Sequence, residues 1–331
     1  MLRPPPVGIS GVAILRRRLL AWYDSNRRDL PWRRSADPYR IWLSEIMLQQ
    51  TRVAAVLDHY RAFLARFPTV RKLAAAPPES VLAAWSGLGY YRRARSLHHA
   101  AQQIVIRHGS RLPRTLPELR ALPGVGRYTS AAVASIAFGV PVAVVDGNVE
   151  RVISRLLATN ARAVDCWAFA ECLLERRRPG DWNQAMMELG AVVCLPGEPQ
   201  CSACPLQRWC KSSRNPEPRA KAALTLRRKS HPHKKDEAYL LAQRPRSVYL
   251  VRRDSQAKVM AGMWELPRLP LPPAGREPLF RLKHSITVTN YEIAVFDTGK
   301  PDGGSWVALK RIPELPLTGL ARKILRRAKL I

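Results

Sequence analysis

The segment Leu122-Pro123-Gly124-Val125-Gly126-Arg127 lies between two stretches in which apolar residues recur at helical spacing. A tight hairpin with two glycines presents consecutive backbone N–H groups at the N-terminus of the helix that follows. That arrangement suits a phosphate group and requires no contact with a base. An ordinary turn between two helices is the alternative, so the hairpin by itself leaves both interpretations open.

The net charge favours the phosphate interpretation. The 331 residues include 55 Lys and Arg against 25 Asp and Glu, a formal net charge of +30. Such an excess suits a polyanionic partner. The longest apolar run, 131–145, is interrupted by Ser135, Gly139 and Pro141 and is too short to span a bilayer. The first eleven residues lack the apolar core and cleavage site of a signal peptide. We therefore expect a nucleic-acid partner, no membrane and a cytoplasmic location.

The length suggests two domains, and the first reads as helical. Asp37-Pro38 and Thr115-Leu116-Pro117 each predict a helix start, because a capping side chain precedes a proline in the first turn. Apolar residues at helical spacing predict helices over 13–23, 39–49, 53–66, 79–85, 93–107, 127–138 and 148–157.

The residue composition changes after Cys210. Residues 211–235 carry nine Lys or Arg and one acid, Glu217, which predicts a basic connector. Alternating stretches predict strands over 238–242, 248–251 and 286–296, and 320–330 predicts a basic amphipathic helix. The expected fold class is mainly α. An all-α domain over 8–213 is joined by a linker over 214–235 to a smaller α+β domain over 236–331.

Four of the six cysteines share the spacing C-x6-C-x2-C-x5-C, namely Cys194, Cys201, Cys204 and Cys210. A disulfide framework is typical of small secreted chains, which this is not. A tetrahedral zinc site usually shows two short C-x2-C pairs, whereas this spacing has one. A [4Fe–4S] cluster also takes four thiolates. The spacing predicts a metal centre at 194–210 and leaves the metal open.

Two carboxyl groups are candidates for chemistry. Glu45 has mostly apolar neighbours, so it is either paired or held with a raised pKa, ready to donate a proton. Asp146 ends the apolar run 140–145 and precedes Gly147 and Asn148. It either caps the next helix or faces the ligand that the hairpin binds.

With these motifs the chain closely resembles the MutY family of adenine DNA glycosylases over nearly its whole length. The hairpin is then a helix–hairpin–helix motif. The other motifs that carry the resemblance are Leu30–Arg33, Trp42–Thr51, Gly87–Tyr91, Asp146–Asn148, Asn183–Gly190 and the four cysteines. The resemblance implies a two-lobed helical glycosylase domain with one [4Fe–4S] cluster. It also implies a monomer, associated with the nucleoid, that acts on duplex DNA containing 8-oxoguanine:adenine or guanine:adenine mispairs.

The resemblance also implies residue roles. Glu45 would be the general acid that protonates adenine at N7, and Asp146 would stabilise the oxocarbenium-like sugar. Tyr128 and Asn148 would position them. The implied DNA contacts are Trp32 and Arg33 in the base pocket, Gln50 and Tyr90 in the base stack, Thr51, and the hairpin residues Leu122, Gly124, Val125 and Gly126. The four cysteines would bind the cluster.

The C-terminal part resembles the Nudix-like domain that recognises 8-oxoguanine in this family. Gly262–Pro267 resembles the entry to a Nudix region, and His284 and Thr287 lie in the stretch that resembles the lesion-recognition loop. That loop carries a Phe-Ser-His triplet in the family, whereas this chain has Ile286-Thr287-Val288. Thr287 could equally be an ordinary strand residue.

Three rival functions are less well supported. Endonuclease III-type lyases carry a lysine just after the hairpin, where this chain has Tyr128, so strong lyase activity is not expected. A Nudix pyrophosphatase needs several glutamates for Mg²⁺, but 268–300 contains only Glu277 and Glu292. A DNA-binding protein without catalysis would not need both Glu45 and Asp146.

Overall fold

The structure is a computed structural model. It describes residues 9–159, 165–214, 233–254, 256–257, 259–286, 289–299 and 301–331. Thr287 and most of the expected linker lie outside these ranges. No helix among the described residues is long and apolar enough to cross a lipid bilayer.

The described residues form two compact units. One contains the described parts of Met1–Gln50 and Gln103–Arg228, and the other those of Thr51–Gln102 and Lys229–Ile331. One piece of helical sequence, 51–102, therefore belongs to the same unit as the C-terminal strands. The domains predicted from the sequence divide the chain by composition and hydrophobic periodicity, and their boundaries stay a prediction.

The helices in chain order are α1 (Ile9–Asn26), α2 (Pro38–Leu48), α3 (Val53–Arg66), α4 (Val70–Ala74), α5 (Pro78–Trp85), α6 (Arg92–Arg107), α7 (Leu116–Ala121), α8 (Arg127–Phe138), α9 (Gly147–Leu157), α10 (Cys166–Leu173), α11 (Pro179–Val192), α12 (Lys211–Arg214) and α13 (Gly319–Arg327). All seven helices predicted for the N-terminal part are present. The predicted caps are confirmed, because the side chains of Asp37 and Thr115 accept from the backbone N–H groups of Tyr39 and Glu118.

The first unit is built on α11. This helix packs against α1, α8 and α9, and α2 packs against α8. Its core is apolar, with Leu15, Leu19, Trp182 and Met186 almost completely buried. The packing places the C-terminal half of α2, the start of α8 and the start of α9 around one region of this unit.

The strands are β1 (His233–Leu240), β2 (Gln243–Arg244), β3 (Ser247–Arg252), β4 (Trp264–Glu265), β5 (Arg268–Leu269), β6 (Phe280–Ile286), β7 (Thr289–Phe296) and β8 (Gly304–Ala308). One sheet has the order β5-β1-β7-β6, with β1 and β7 parallel and the other pairs antiparallel. In the second sheet β3 pairs with β2, β4 and β8. Helix α13 contributes Ile324 and Leu325 to the core of these strands.

Two of the three predicted strands differ from the observed ones by more than one residue in where they begin. The predicted strand over 286–296 is wrong at its start: Ile286 ends β6 and Thr289 begins β7, and the two strands pair antiparallel. An alternating pattern does not show a chain reversal, because both arms of a hairpin alternate. β1 begins at His233, inside the predicted linker, because it pairs with β7 from His233 opposite Thr289 onward.

Candidate active site

Glu45 is a buried carboxyl group with one direct hydroxyl partner. It lies on α2 with only 6% of its surface exposed. Tyr128, in the first turn of α8, donates a hydrogen bond to Glu45 Oε2 at 2.8 Å. Burial is the largest influence and raises the pKa of Glu45 to about 7; the Tyr128 bond lowers it, and the negative charge of Asp146 raises it. Glu45 therefore has a hydrogen-bond partner and a raised pKa, the two alternatives stated for it from the sequence.

Tyr128 stays protonated beside this carboxyl. Burial raises the pKa of its hydroxyl well above the ordinary value, and the nearby charges of Glu45 and Asp146 raise it further. The hydroxyl also lies 3.3 Å from Met187 Sδ on α11. A phenol that keeps its proton remains a donor toward Glu45 when that carboxyl is ionised.

Asp146 caps α9, which is the structural alternative stated for it from the sequence. Its Oδ1 accepts from the backbone N–H groups of Asn148 at 2.9 Å and Val149 at 2.8 Å. Its Oδ2 accepts from the side-chain amide of Asn148 at 3.0 Å. Three N–H donors and the positive end of the helix dipole thus surround one carboxylate. The cap does not exclude a catalytic role, because it holds the carboxylate fixed while Asp146 stays half exposed.

The extended segment that precedes Asp146 is held in place by α11. The extended run 140–145 is bonded to Asn183, whose Nδ2 donates to the Val142 carbonyl at 2.8 Å and whose Oδ1 accepts from the Val144 N–H at 3.1 Å. Asn183 is 2% exposed. A buried amide satisfied in this way fixes the register of the run, and hence the position of Asp146.

Arg151 connects Asn148 to the cysteine segment. Its Nη2 donates to Asn148 Oδ1 at 2.8 Å and to the Gly190 carbonyl at 2.7 Å, and its Nε donates to the Cys194 carbonyl at 2.8 Å. Gly190 must be a glycine here, because a Cβ would lie 2.6 Å from Asn148 Cβ. The absence of a side chain lets α11 approach α9 closely enough for these bonds.

A second charged group, Glu188, pairs with Arg33, one of the two residues predicted to line the base pocket. Glu188 on α11 is 1% exposed and accepts from Arg28 Nη2 at 2.7 Å and Arg33 Nη2 at 2.8 Å. Burial alone would raise its pKa, but the two guanidinium groups together lower the pKa of Glu188 to about 2. Trp32 is buried, and the positive charge of Arg33 lowers the pKa of Glu45. The positive charge of Arg33 thus acts on two carboxyl groups, Glu45 with a raised pKa and Glu188 with a lowered pKa.

The hairpin has the geometry that its glycines predict. Gly124 has φ +77, in the left-handed region that favours glycine, and the Val125 N–H donates to the Leu122 carbonyl at 3.1 Å. Leu122 and Val125 are buried, whereas Gly124 and Gly126 are exposed. Gly126 is the N-cap of α8 and provides no capping side chain. The first amides of α8 therefore depend on other acceptors, which suits an anion.

The remaining predicted DNA contacts are distributed over both units. Gln50, at the end of the α2 segment, is exposed with φ +55. In the second unit Tyr90 is 49% exposed with φ +49, and Arg93 stacks 5.4 Å from its ring. Arg93 Nη2 also donates to Thr51 Oγ1 at 3.0 Å.

His284 lies half-buried on β6, in the strand part of the second unit. Burial, and then the charge of Lys323, lower its pKa. Thr287, the other residue of the predicted lesion-recognition loop, lies outside the described residues.

The four cysteines line one pocket of the first unit, with Arg155 and the apolar side chains of α9 and α11. Arg155 donates to Cys194 Sγ at 3.3 Å and to the Leu195 carbonyl at 2.7 Å. Burial raises the pKa of the Cys204 thiol to about 12, while a hydrogen bond with the Leu206 backbone lowers it. In the part of the chain that the structure describes, no three His, Cys, Asp or Glu side chains are placed to hold a metal ion.

Two residues of the site were not predicted from the sequence. Arg151 lies three residues after Asn148, a spacing that puts both on one helix face. Glu188 lies between the apolar residues Met187 and Leu189, the same kind of signal that identified Glu45.

The similarity to known proteins agrees with this site. Residues 43–165 match a family described as the HhH-GPD superfamily of base excision DNA repair proteins. An adenine DNA glycosylase of Homo sapiens is 46% identical over 224 residues, covering 63% of this chain and 41% of that protein. One of Rattus norvegicus is 37% identical over 324 residues, covering 81% of this chain and 63% of that protein. The chain thus spans less than two thirds of the length of these curated relatives.

A solved structure of a thermostable thymine-DNA glycosylase superposes with a TM-score of 0.58 and 30% identity, covering 61% of this chain and 96% of that one. The matched family region contains Glu45, the hairpin and the Asp146–Asn148 segment. The chain therefore belongs to the HhH-GPD superfamily of base excision DNA repair proteins, and within it to the MutY-type adenine DNA glycosylases.

Proposed function

We propose that this protein hydrolyses the N-glycosidic bond of adenine paired with 8-oxoguanine or guanine in duplex DNA. The observation that carries the proposal is the buried Glu45, with a pKa of about 7, in the electrostatic field of the carboxylate of Asp146. One neutral and one ionised carboxyl are the two groups that this hydrolysis requires. The adenine DNA glycosylases among the relatives support the same substrate base.

The reaction follows from the chemistry of the leaving group. Adenine leaves poorly as an anion, so Glu45 donates its proton to N7 while the bond between the sugar C1′ and N9 breaks and its electron pair stays on the base. The sugar becomes cation-like, and the carboxylate of Asp146 stabilises that charge. Water then attacks C1′ and the Glu45 carboxylate accepts its proton. Tyr128 and Asn148 hold the two carboxyls in position.

The base must leave the helix before it can reach Glu45. We assign phosphate binding to the hairpin residues Leu122, Gly124, Val125 and Gly126. Gln50 and Tyr90 are exposed and available to replace the base in the stack. Thr51 follows Gln50 in sequence and accepts a hydrogen bond from Arg93, which also stacks on Tyr90. Trp32 and Arg33 line the pocket. The net charge of +30 supplies the attraction to the DNA backbone.

We propose that the four cysteines hold one [4Fe–4S] cluster. Hydrogen bonds from Arg155 to Cys194, and with the backbone of Ser212 and Ser213 at Cys210, suit negatively charged thiolate ligands. The four cysteines line one pocket, and four thiolates are the ligand set that such a cluster takes. The cluster would stabilise the loop 194–210, whereas Glu45 and Asp146 perform the hydrolysis.

We assign 8-oxoguanine recognition to a Nudix-like domain over 236–331 that follows a linker over 214–235. The mixed sheet, the second sheet and α13 support an α+β domain there. His284 and Thr287 are the proposed contacts to the lesion. We further propose that the two lobes of the helical domain lie over 8–213, that the protein acts as a monomer, and that it is a cytoplasmic, nucleoid-associated protein without strong lyase activity.

A single-turnover assay tests the proposal. A duplex with one 8-oxoguanine:adenine pair should release adenine, and Glu45→Gln and Asp146→Asn should each abolish the release. Glu314→Gln, an exposed carboxyl in the second unit, is the matched control and should retain the wild-type rate. Adenine release at the wild-type rate by Glu45→Gln would exclude Glu45 as the acid. Strand cleavage without added base would contradict the proposed absence of strong lyase activity.

A further inference from the structure

The loop Ser86–Tyr91 of the second unit has an unusual backbone. Gly87 (φ +108), Gly89 (φ +70) and Tyr90 (φ +49) all lie in the left-handed region, and Tyr90 is not a glycine. Glycine adopts this region readily, whereas for Tyr90 it is unfavourable and persists only where neighbouring groups hold it. Tyr90 is also the most exposed aromatic side chain described for this loop, at 49%.

One side of the loop is held by Arg93, four residues after Gly89. Its Nη2 donates to the carbonyls of Gly89 at 3.3 Å and Leu88 at 3.4 Å, and its guanidinium stacks on the rings of Tyr90 and Trp85, each at 5.4 Å. These contacts are local in sequence. They support the loop but do not by themselves distinguish one orientation of Tyr90 from another.

The other side of the loop is held by the carbonyl of Leu317, more than 200 residues away. Ser86 Oγ donates to the Leu317 carbonyl at 2.7 Å, and Tyr91 Oη donates to the same carbonyl at 3.3 Å. All three residues are buried, with exposures of 4%, 7% and 0% for Ser86, Tyr91 and Leu317. One carbonyl oxygen has two lone pairs, so it can accept both bonds.

Each of the two hydroxyls also accepts a bond. Arg322 Nε, on α13, donates to Ser86 Oγ at 3.3 Å, and the Gly87 N–H donates to Tyr91 Oη at 3.4 Å. Tyr91 thus joins the Leu317 carbonyl to the left-handed backbone at Gly87. The hydroxyls are fully used in this arrangement, and a buried polar group that loses a partner is costly.

The Leu317 carbonyl is itself fixed by the strands. Leu317 forms a bridge with Trp264 of β4, where the Trp264 N–H donates to the Pro316 carbonyl at 2.8 Å and the Thr318 N–H donates to the Trp264 carbonyl at 2.9 Å. Two further contacts join α5 and α6 to the same C-terminal segment: Glu79 pairs with Arg252, and Arg95 donates to the Ala261 carbonyl. These polar contacts therefore involve α5, α6 and β3 as well as the segments that contain Ala261 and Leu317.

We propose that the C-terminal segment 233–331 fixes the conformation of the loop Ser86–Tyr91 through the Leu317 carbonyl, with Ser86 and Tyr91 as positioning residues for Tyr90. The C-terminal segment thereby acts on the presentation of Tyr90 to DNA, in addition to any contact of its own with the lesion. The effect on the loop stands on the hydrogen bonds alone, whereas the effect on DNA rests on the proposed function.

Hydrogen–deuterium exchange on the full chain without DNA tests the effect on the loop. In the Ser86→Ala/Tyr91→Phe variant, amides of 86–91 should exchange about tenfold faster, because two buried hydrogen bonds to Leu317 are lost. Tyr249→Phe is the matched control: Tyr249 is 9% exposed and accepts from the Gly304 N–H at 2.9 Å, far from the loop in sequence. It should leave exchange in 86–91 unchanged. Unchanged exchange in the double variant, or an equal rise in the control, overturns the proposal.

The single substitutions Ser86→Ala and Tyr91→Phe keep the test decisive if the double variant does not fold, since each should give a smaller rise confined to the same amides. A second measurement uses 2-aminopurine placed next to 8-oxoguanine in the duplex. Its fluorescence change on binding should be reduced in the folded variants and retained in Tyr249→Phe. A full fluorescence change in the variants overturns the effect on Tyr90. A wild-type protein that does not respond to this DNA contradicts the proposed function, and the exchange result still decides the loop.

Discussion

Arg151 donates a hydrogen bond to Asn148 Oδ1 at 2.8 Å and, from the same guanidinium, to the carbonyls of Gly190 and Cys194. Asn148 in turn donates to Asp146 Oδ2 at 3.0 Å. The proposed catalytic carboxylate is therefore joined by two side chains to the first of the four cysteines. We therefore expect the position of Asp146 to depend on Arg151.

Arg151→Lys should lower the single-turnover rate of adenine release by about 10- to 100-fold, because a lysine lacks the planar set of donors and a small displacement of a catalytic group is costly. The rate at saturating enzyme separates this effect from weaker binding. Arg61→Lys is the control, since Arg61 only pairs with exposed Asp58. A wild-type rate for Arg151→Lys would show that Asn148 holds Asp146 without help from Arg151.

The rate of adenine release should fall as the pH rises above about 7. Glu45 donates the proton, its pKa is about 7, and a general acid loses activity tenfold per pH unit above its pKa. Single-turnover rates between pH 5.5 and 9 on one duplex, at saturating enzyme, measure this. A rate that is constant over that range would indicate that another group donates the proton.

Glu45→Gln should stabilise the protein at neutral pH. A carboxyl whose pKa is raised on folding contributes stability that is present below its unfolded pKa and is lost as the pH rises through the folded value, here about 7. The variant does not titrate, so its advantage should grow from about pH 5 to pH 7.5, reaching about 1–3 kcal/mol. Urea unfolding at both pH values measures it, with Glu314→Gln as the exposed control. A variant that is less stable than wild type at pH 7.5 would contradict the assigned burial cost.

Glu188→Gln should destabilise the protein by about 3–5 kcal/mol, because it leaves the guanidinium groups of Arg28 and Arg33 without their buried counter-charge. Glu188 has a lowered pKa, so its contribution is present above the unfolded pKa and is lost as the pH falls toward about 2. The difference between wild type and variant should therefore shrink in acid. Asp58→Asn, which breaks the exposed pair with Arg61, should change stability by less than about 1 kcal/mol. A change in Glu188→Gln no larger than in that control would refute the buried network.

Cys204→Ser should remove most of the iron from the purified protein and make it less stable, since it deletes one of four proposed ligands. Wild type should contain about four iron atoms and four sulfides per chain. Cys172→Ser, a cysteine outside the C-x6-C-x2-C-x5-C spacing, should retain the iron. Stoichiometric zinc in the wild type, with no iron, would show that the pocket holds a single ion.

Helices were predictable where the apolar spacing and the capping residues lie within the helix itself. The bounds of α3 and α8 coincide with the predicted 53–66 and 127–138, and the caps at Asp37 and Thr115 are present. Helix α11 was not predicted, because it packs against three other helices and some of its buried positions, such as Asn183 and Glu188, are polar, so its apolar residues alone do not show the helical period. Short strands such as β4 and β5 were missed because each is two residues long and depends on its pairing partner.

The sequence by itself determined the residue types and spacings that chemistry requires: the two-glycine hairpin, a carboxyl among apolar residues at Glu45, Asp146 ahead of a helix, and four spaced cysteines. The tertiary structure decided how those groups act. It buries Glu45 beside the hydroxyl of Tyr128. It joins Asp146 to Cys194 by hydrogen bonds through Asn148 and Arg151. It also brings the hydroxyls of Ser86 and Tyr91 within hydrogen-bonding distance of the Leu317 carbonyl. These properties depend on contacts between residues that are distant in sequence, and burial and hydrogen bonding, which set pKa values and positions, exist only once the chain is packed.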